Sequence, residues 1–234
     1  MEFIKKYKNI IKLITLLFIF LSSGLIDKLV VDTLNLDKDT LSGATKVLII
    51  LFRQSIVAII TVAFYFKELK EQAKDFKNNY MQYLDEGFKW WIVGLVIMVV
   101  TNIIIQRYTP AENMTNNEAG IREMMKALPI AMIFITSILA PITEELIFRK
   151  SFKDLFEEKW LFILTSGIVF GSLHVLGSLN SLYSLLHIIP YSGLGITFAY
   201  MYYKTNNIYT SMSMHFIHNA TISILTTVGL GMIL

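Results

Sequence analysis

"LAPITEELIFRK", Leu139 to Lys150, sets two adjacent carboxylates, Glu144 and Glu145, in a run that otherwise reads as membrane-buried; Arg149 follows four residues after the second. An ionisable side chain at the centre of a membrane helix costs about 2.5–3.5 kcal/mol on insertion scales. Two together must either end the helix at the membrane surface or face the interior of a bundle and find partners there. Residues four apart share a helix face, so Glu145 and Arg149 can pair. Glu144 is turned about 100° away and is left for another task, such as that of a base. Pro141, just before the pair, removes a backbone hydrogen bond and favours a kink that opens room beside it.

The rest of the chain decides between those readings. Of 234 residues, 54% are hydrophobic and 17% charged, and the mean hydropathy is +0.56. Charges cluster between long apolar runs, the pattern of a polytopic membrane protein. A bilayer core of about 30 Å needs roughly 20 apolar residues in a helix. Runs of about that length fall at 10–26, 47–66, 88–106, 128–149, 160–179, 182–203 and 208–228. The expectation is therefore an all-α, polytopic transmembrane bundle of about seven spans. The first run follows lysines, as a signal peptide would, but "SSGLIDKLVV" offers no small-x-small cleavage site, so it reads as an uncleaved anchor. There is no cysteine, which excludes disulfides, thiol nucleophiles and thiolate metal sites. The net charge is only +3, and no basic patch is interleaved with aromatic residues, which argues against a nucleic-acid partner.

Lysine and arginine placement orients the spans. With the N-terminus inside, the inner segments hold Lys5, Lys6, Lys8, Lys12, Lys67, Lys70, Lys74, Lys77, Lys89, Arg149, Lys150, Lys153, Lys159 and Lys204; the outer ones hold Lys28, Lys38, Lys46, Arg107, Arg122 and Lys126. This bias predicts a cytoplasmic N-terminus in the plasma membrane. The segment 67–87, "KELKEQAKDFKNNYMQYLDEG", is expected to lie as a helix on the cytoplasmic surface or to be a solvated connector. The segments 27–46 and 107–127 are expected to be polar external loops. All four histidines and the glutamate pair fall from residue 128 onward. Residues 1–127 thus read as a three-span scaffold, with Arg53 and Gln54 its polar exceptions, and residues 128–234 as a catalytic core of four spans.

Two further motifs belong to that core. In "GIVFGSLHVLG", Gly167 to Gly177, Phe170 and His174 share a face, and Gly167 and Gly171 form a G-x-x-x-G that lets another helix come close. A neutral histidine there can orient water or accept a proton, or can simply pack. In "SMSMHFIHNAT", Ser211 to Thr221, Ser211, His215 and Asn219 form one stripe, with His218 off to its side. A histidine and an asparagine together could serve an oxyanion or act as interhelical polar glue. His187 is alone and reads as structural or pocket-lining. Pro190, Gly193 and Gly195 make the sixth run irregular, which is tolerated where the backbone is buried or lines a cavity.

The three patterns occur in order, one per run, as EExxxR, FxxxH and HxxxN. In this the sequence, over residues 128–228, resembles the CPBP family of intramembrane proteases, which groups CAAX prenyl protease 2 with bacteriocin-processing ("Abi") proteins. The resemblance implies hydrolysis of a peptide bond within the membrane by a glutamic endopeptidase. Glu144 and His174 would activate the water, and His215 with Asn219 would hold the oxyanion. Glu145 would assist, braced by Arg149, with Phe170 and Pro141 in support. The implied substrate is a small peptide or a membrane-tethered protein tail, and the expected cofactor is none.

Other chemistries use the same residues. Glu144, His174 and His215 could ligate Zn²⁺ with one position open, although no H-E-x-x-H is present. "PYSG" at Pro190–Gly193 lacks a serine-protease pattern, and no aspartate lies within a span for an aspartyl mechanism. A proton-coupled transporter would also use intramembrane Glu and His, but no inverted repeat is visible. A non-catalytic bacteriocin-immunity protein would retain the fold. Depth sets a condition on the shared-water reading: counted along their runs, Glu144 and His174 differ by roughly 12 Å. The fourth helix is therefore expected to continue past Arg149 to about Phe156.

Overall fold

The computed structural model describes residues 2–108, 116–176 and 182–229. Among these there are only helices: α1 (Glu2–Ser22), α2 (Gly24–Thr33), α3 (Gly43–Tyr108), α4 (Asn116–Ala127), α5 (Pro129–Leu155), α6 (Lys159–Val175), a short 3₁₀ turn Leu182–His187, α7 (Ile188–Thr205) and α8 (Ile208–Thr227). The protein is a helical membrane bundle. Large apolar side chains cover its outside, among them Ile11, Phe18, Phe52, Ile59, Ile103 and Ile168, as a lipid-facing surface requires. α3 and α5 are each long and apolar enough to cross a membrane, and α1 with α2 makes a third such stretch if taken as one span bent by 47° at Ser23.

The seven expected runs fall on α1, the two halves of α3, α5, α6, α7 and α8. α5 continues to Leu155, with Phe156 extended beyond it, which matches the expected lengthening of the fourth helix. The last residues of the fifth run, 177–179, lie outside the described residues. Two boundaries differ from expectation. The segment 107–127 is not all loop, because α4 occupies Asn116–Ala127 and buries Met125 against Val47, Met132 and Ile135. The segment 27–46 begins inside α2, where Asp27 pairs with Arg53, the lone arginine of the second run. Hydropathy alone could not show either, since an amphipathic helix and a polar loop have similar averages.

The segment 67–87 is helical and runs through as part of α3, bent where Asn79 leaves helical geometry (φ −124°, ψ 20°). The bend wraps the turn between α7 and α8. Asn207 donates to Gln72 O and to Asp75, and Gln72 Oε1 accepts from the Ile208 backbone N–H. Tyr83, Asn207 and Asn79 all donate to Asp75, which holds its carboxyl below the usual carboxylate value. At the same end of the bundle Lys153, Lys159 and Lys204 lie over the rings of Tyr202, Trp160, Tyr200, Tyr203 and Trp90. Such a lysine–aromatic belt marks a membrane–water interface.

α6 and α7 cross in close contact, and the two glycines permit it. A Cβ on Gly167 would stand 2.6 Å from the backbone N of Ile196, and one on Gly171 would stand 2.5 Å from that of Ser192. The expected G-x-x-x-G approach is thus made, with α7 as the partner. The core around it joins both parts of the chain: Leu13 and Leu16 of α1 and Tyr65 of α3 pack with Leu146, Phe148, Phe162 and Phe170.

Candidate active site

Pro141 and the glutamates stand in a helix that is twice widened. α5 passes through π-helical turns at Ile135–Leu139 and Glu145–Lys150, with Pro141 between them. Turns of this kind are rare, and they shift which side chains share a face. They also free carbonyls for side-chain donors. Ser166 of α6 donates to Phe148 O at 2.7 Å, and Ser151 donates to Leu146 O while its oxygen meets the Tyr65 hydroxyl.

The second π turn carries the charged site. Glu145 and Arg149 are both 0% exposed and pair at 3.4 Å. The guanidinium lies over the Phe170 ring, 4.4 Å from its centroid, and 5.8 Å from that of Phe198. The long helix stretch therefore buries its charge against two aromatic faces and one carboxylate. His215 Nδ1 is 2.9 Å from Glu145 Oε1. Only a protonated ring nitrogen can donate to a carboxylate, so the proton sits on Nδ1 and Nε2 turns the other way. Nε2 stands 3.6 Å from Glu144 Oε2. The order Glu145–His215–Glu144 thus runs from a sealed carboxylate, through a ring only 3% exposed, to a carboxylate whose side chain is 13% exposed. The imidazole also stacks on Phe198 at 4.9 Å.

His174 joins this group through Phe170. Its ring is 4.3 Å from that of Phe170, which in turn meets His215 edge-on at 5.9 Å. His174 Nδ1 donates to Phe170 O at 2.9 Å, leaving its Nε2 lone pair available, and the ring stacks on Tyr191. Depth accounts for the offset. Glu145 lies two turns above Lys153, and His215 two turns above Asn207, both roughly 12 Å from the belt; His174 lies roughly 21 Å along α6 from Trp160. Asn219 points elsewhere: its Nδ2 donates to Thr136 O at 2.8 Å. Ser211, buried in the same stripe, donates to Ile208 O, and His218 accepts at Nδ1 from Trp91 Nε1 at 3.4 Å. His187, half-buried, closes the 3₁₀ turn.

Of the residues expected to act, Glu144, Glu145, Arg149, Phe170 and His215 come into mutual contact. Phe198, Trp91 and Thr136 are additions that the motifs did not signal, since each is an ordinary apolar or helix-lining residue until the helices are paired. Glu144, His174 and His215 do not gather as metal ligands. Both His215 nitrogens face carboxylates, His174 stands beyond Phe170, and among the described residues no group of three such side chains meets the spacing of a metal site. A groove of about 460 Å³ between α3, α5 and α8 is lined by Val62, Phe66, Leu69, Lys70, Ile142, Tyr209 and Met212.

Residues 126–221 match the family described as "Type II CAAX prenyl endopeptidase Rce1-like". The UPF0177 protein YbdI of Lactococcus lactis subsp. lactis is 33% identical over 130 residues, covering 54% of this chain and 67% of that protein. The chain belongs to the CPBP family. Another relative is the "Putative membrane peptidase YdiL" of Bacillus subtilis, 33% identical over 114 residues, covering 47% of this chain and 43% of that one. The UPF0177 protein YvdC of L. lactis is 27% identical over 133 residues, covering 55% and 49%. The chain thus spans about half the length of the last two relatives. No solved structure matches. The CPBP match runs from Lys126 to Thr221 and so takes in all three motifs, from Glu144 to Asn219.

Proposed function

We propose that this membrane protein is an endopeptidase that cleaves a small peptide precursor or a membrane-tethered protein tail inside the bilayer, without a metal. The observation that carries this reading is the Glu145–His215–Glu144 line, in which one carboxylate is sealed and braced while the other keeps a partly exposed side chain. Family membership and the name of the Bacillus relative point the same way.

In this reading Glu144 takes a proton from water as the oxygen attacks the scissile carbonyl. His215, its Nδ1–H fixed on Glu145, presents Nε2 beside Glu144, so that a proton can be shared between them. As the tetrahedral intermediate collapses, the C–N bond breaks and the same proton passes to the leaving amine. Arg149 pairs with Glu145 at 3.4 Å, and Glu145 in turn holds the ring in one tautomer. His174, held behind Phe170 with its Nδ1–H on Phe170 O, would reach the same water only if the helices shifted in height. The apolar groove suits an extended apolar segment, and Lys70 at its edge suits the carboxylate or phosphate that ends such a segment at the membrane surface. The lysine bias supports a cytoplasmic position for that end.

The test is release of fluorescence from a membrane-tethered, quenched peptide in proteoliposomes. Glu144→Gln should abolish release while leaving the fold intact, and a chelator should have no effect. Full activity in Glu144→Gln would end this assignment. Loss of activity with chelator and its return with zinc would replace the metal-free mechanism.

A further inference from the structure

We propose that Asn219 is a positioning residue, and that Pro141 creates its task. In the π turn Ile135–Leu139 the Ala140 N–H is spent on Ile135 O, five residues back. The next carbonyl in that register belongs to Thr136, and the donor it would take is the N–H of residue 141. That residue is a proline and has none. Thr136 O is therefore left without the backbone donor that its register calls for. Asn219 of α8 supplies it through Nδ2 at 2.8 Å. The amide side chain stands in for a missing peptide N–H.

This bond fixes the relative height of two helices. It lies one turn beyond His215 on α8 and two turns before Glu144 on α5, so it sets how far His215 is carried toward the glutamates. A second tie stands one turn further along α8: Ser223 Oγ and Thr136 Oγ1 are 2.9 Å apart. Thr136 Oγ1 donates to Met132 O, so it accepts from Ser223. Asn219 thus holds a carbonyl that exists unpaired because of Pro141, whereas Ser223 holds a hydroxyl that does not depend on Pro141.

The difference is testable. Pro141→Ala restores a backbone N–H. If α5 keeps its π turn, that N–H reaches Thr136 O; if α5 relaxes to ordinary helix, the Ala140 N–H reaches it instead. Either way Asn219 becomes dispensable. In the full chain, Asn219→Ala should lower the folded-to-unfolded ratio in SDS titration roughly tenfold, the cost of leaving a half-buried carbonyl unpaired. It should lower kcat for the tethered peptide by a similar factor with KM within about twofold, because height and not substrate contact is lost. In the Pro141→Ala background the same substitution should shift either quantity by no more than about twofold. Ser223→Ala should cost the same in both backgrounds.

Equal losses from Asn219→Ala with and without Pro141 would overturn the proposal, as would no loss in either. A coupling of Ser223 to Pro141 as large as that of Asn219 would overturn it too. If Asn219→Ala fails to accumulate, restored accumulation in Pro141→Ala/Asn219→Ala is the expected result and continued failure the contrary one. The kinetic arm rests on the peptidase reading. The unfolding arm does not, so an inactive wild type would sink that reading and leave the tie measurable.

Discussion

Removing Arg149 tests the electrostatic logic of the site most directly. Arg149→Met keeps the length and apolar stem of the side chain but deletes its charge. Glu145, 0% exposed, then retains His215 and the Ser211 hydroxyl as partners and no cation. Breaking a buried ion pair from one side costs about 3–5 kcal/mol, because an uncompensated charge is left in a low dielectric. Two features place this case toward the lower end. The pair makes one contact at 3.4 Å and not a bidentate fork, and His215 still donates to the carboxylate at 2.9 Å. Against that, the cation lost from the Phe170 face is itself worth about 1–2 kcal/mol when desolvated. The expected loss is about 3 kcal/mol, read by reversible SDS titration in mixed micelles. Adding Glu145→Gln should recover about 2 kcal/mol of it, since the neutral amide no longer needs a cation. Peptide release should fall in both, because neither leaves a braced, charged group to hold the Nδ1–H of His215. A loss below about 1 kcal/mol for Arg149→Met, or additivity of the two substitutions, would refute the reasoning: Glu145 would then not be an ion held by Arg149.

The helix crossing and the surface bend can be tested separately. Gly171→Ala would set a Cβ 2.5 Å from Ser192 N and 2.8 Å from Ser192 Cα, both backbone atoms that cannot yield alone. The same titration should show a loss of about 1–3 kcal/mol, while Gly24→Ala, with open space around it, should stay within about 0.5 kcal/mol. Asp75 has its pKa lowered from 3.8 by the hydrogen bond from Tyr83, then those from Asn207 and Asn79. Its contribution is therefore fully present above about pH 4 and is lost as pH falls through the lower folded value. Asp75→Asn should flatten the acid limb of the thermal midpoint against pH, and an unchanged limb would count against the role of Asp75 in holding the α3 bend.

The sequence by itself determined the class of the molecule and most of the residues that meet. Apolar runs of bilayer length report helices, because each residue in lipid must satisfy its own backbone. The spacing of Glu145 and Arg149 reported their pairing, and Gly167 with Gly171 reported a close crossing, because both are local properties of one helix. The continuation of α5 past Arg149 was expected from the depth count and is seen to Leu155, although His174 still stands at another height than Glu144. What only the tertiary structure decided are the matters between helices. The π turns around Pro141 have no composition of their own, yet they choose which carbonyls are free and hence that Asn219 turns to Thr136. The alignment of α5 with α8, and not with α6, brings His215 between the two glutamates and leaves His174 behind Phe170. Phe198 carries no motif, and its place under His215 follows from how α7 and α8 pack together. A sequence states which side chains share a face. It does not state the height at which two faces meet, because that is set by packing and by a few long-range hydrogen bonds whose partners lie some 70 or 80 residues apart.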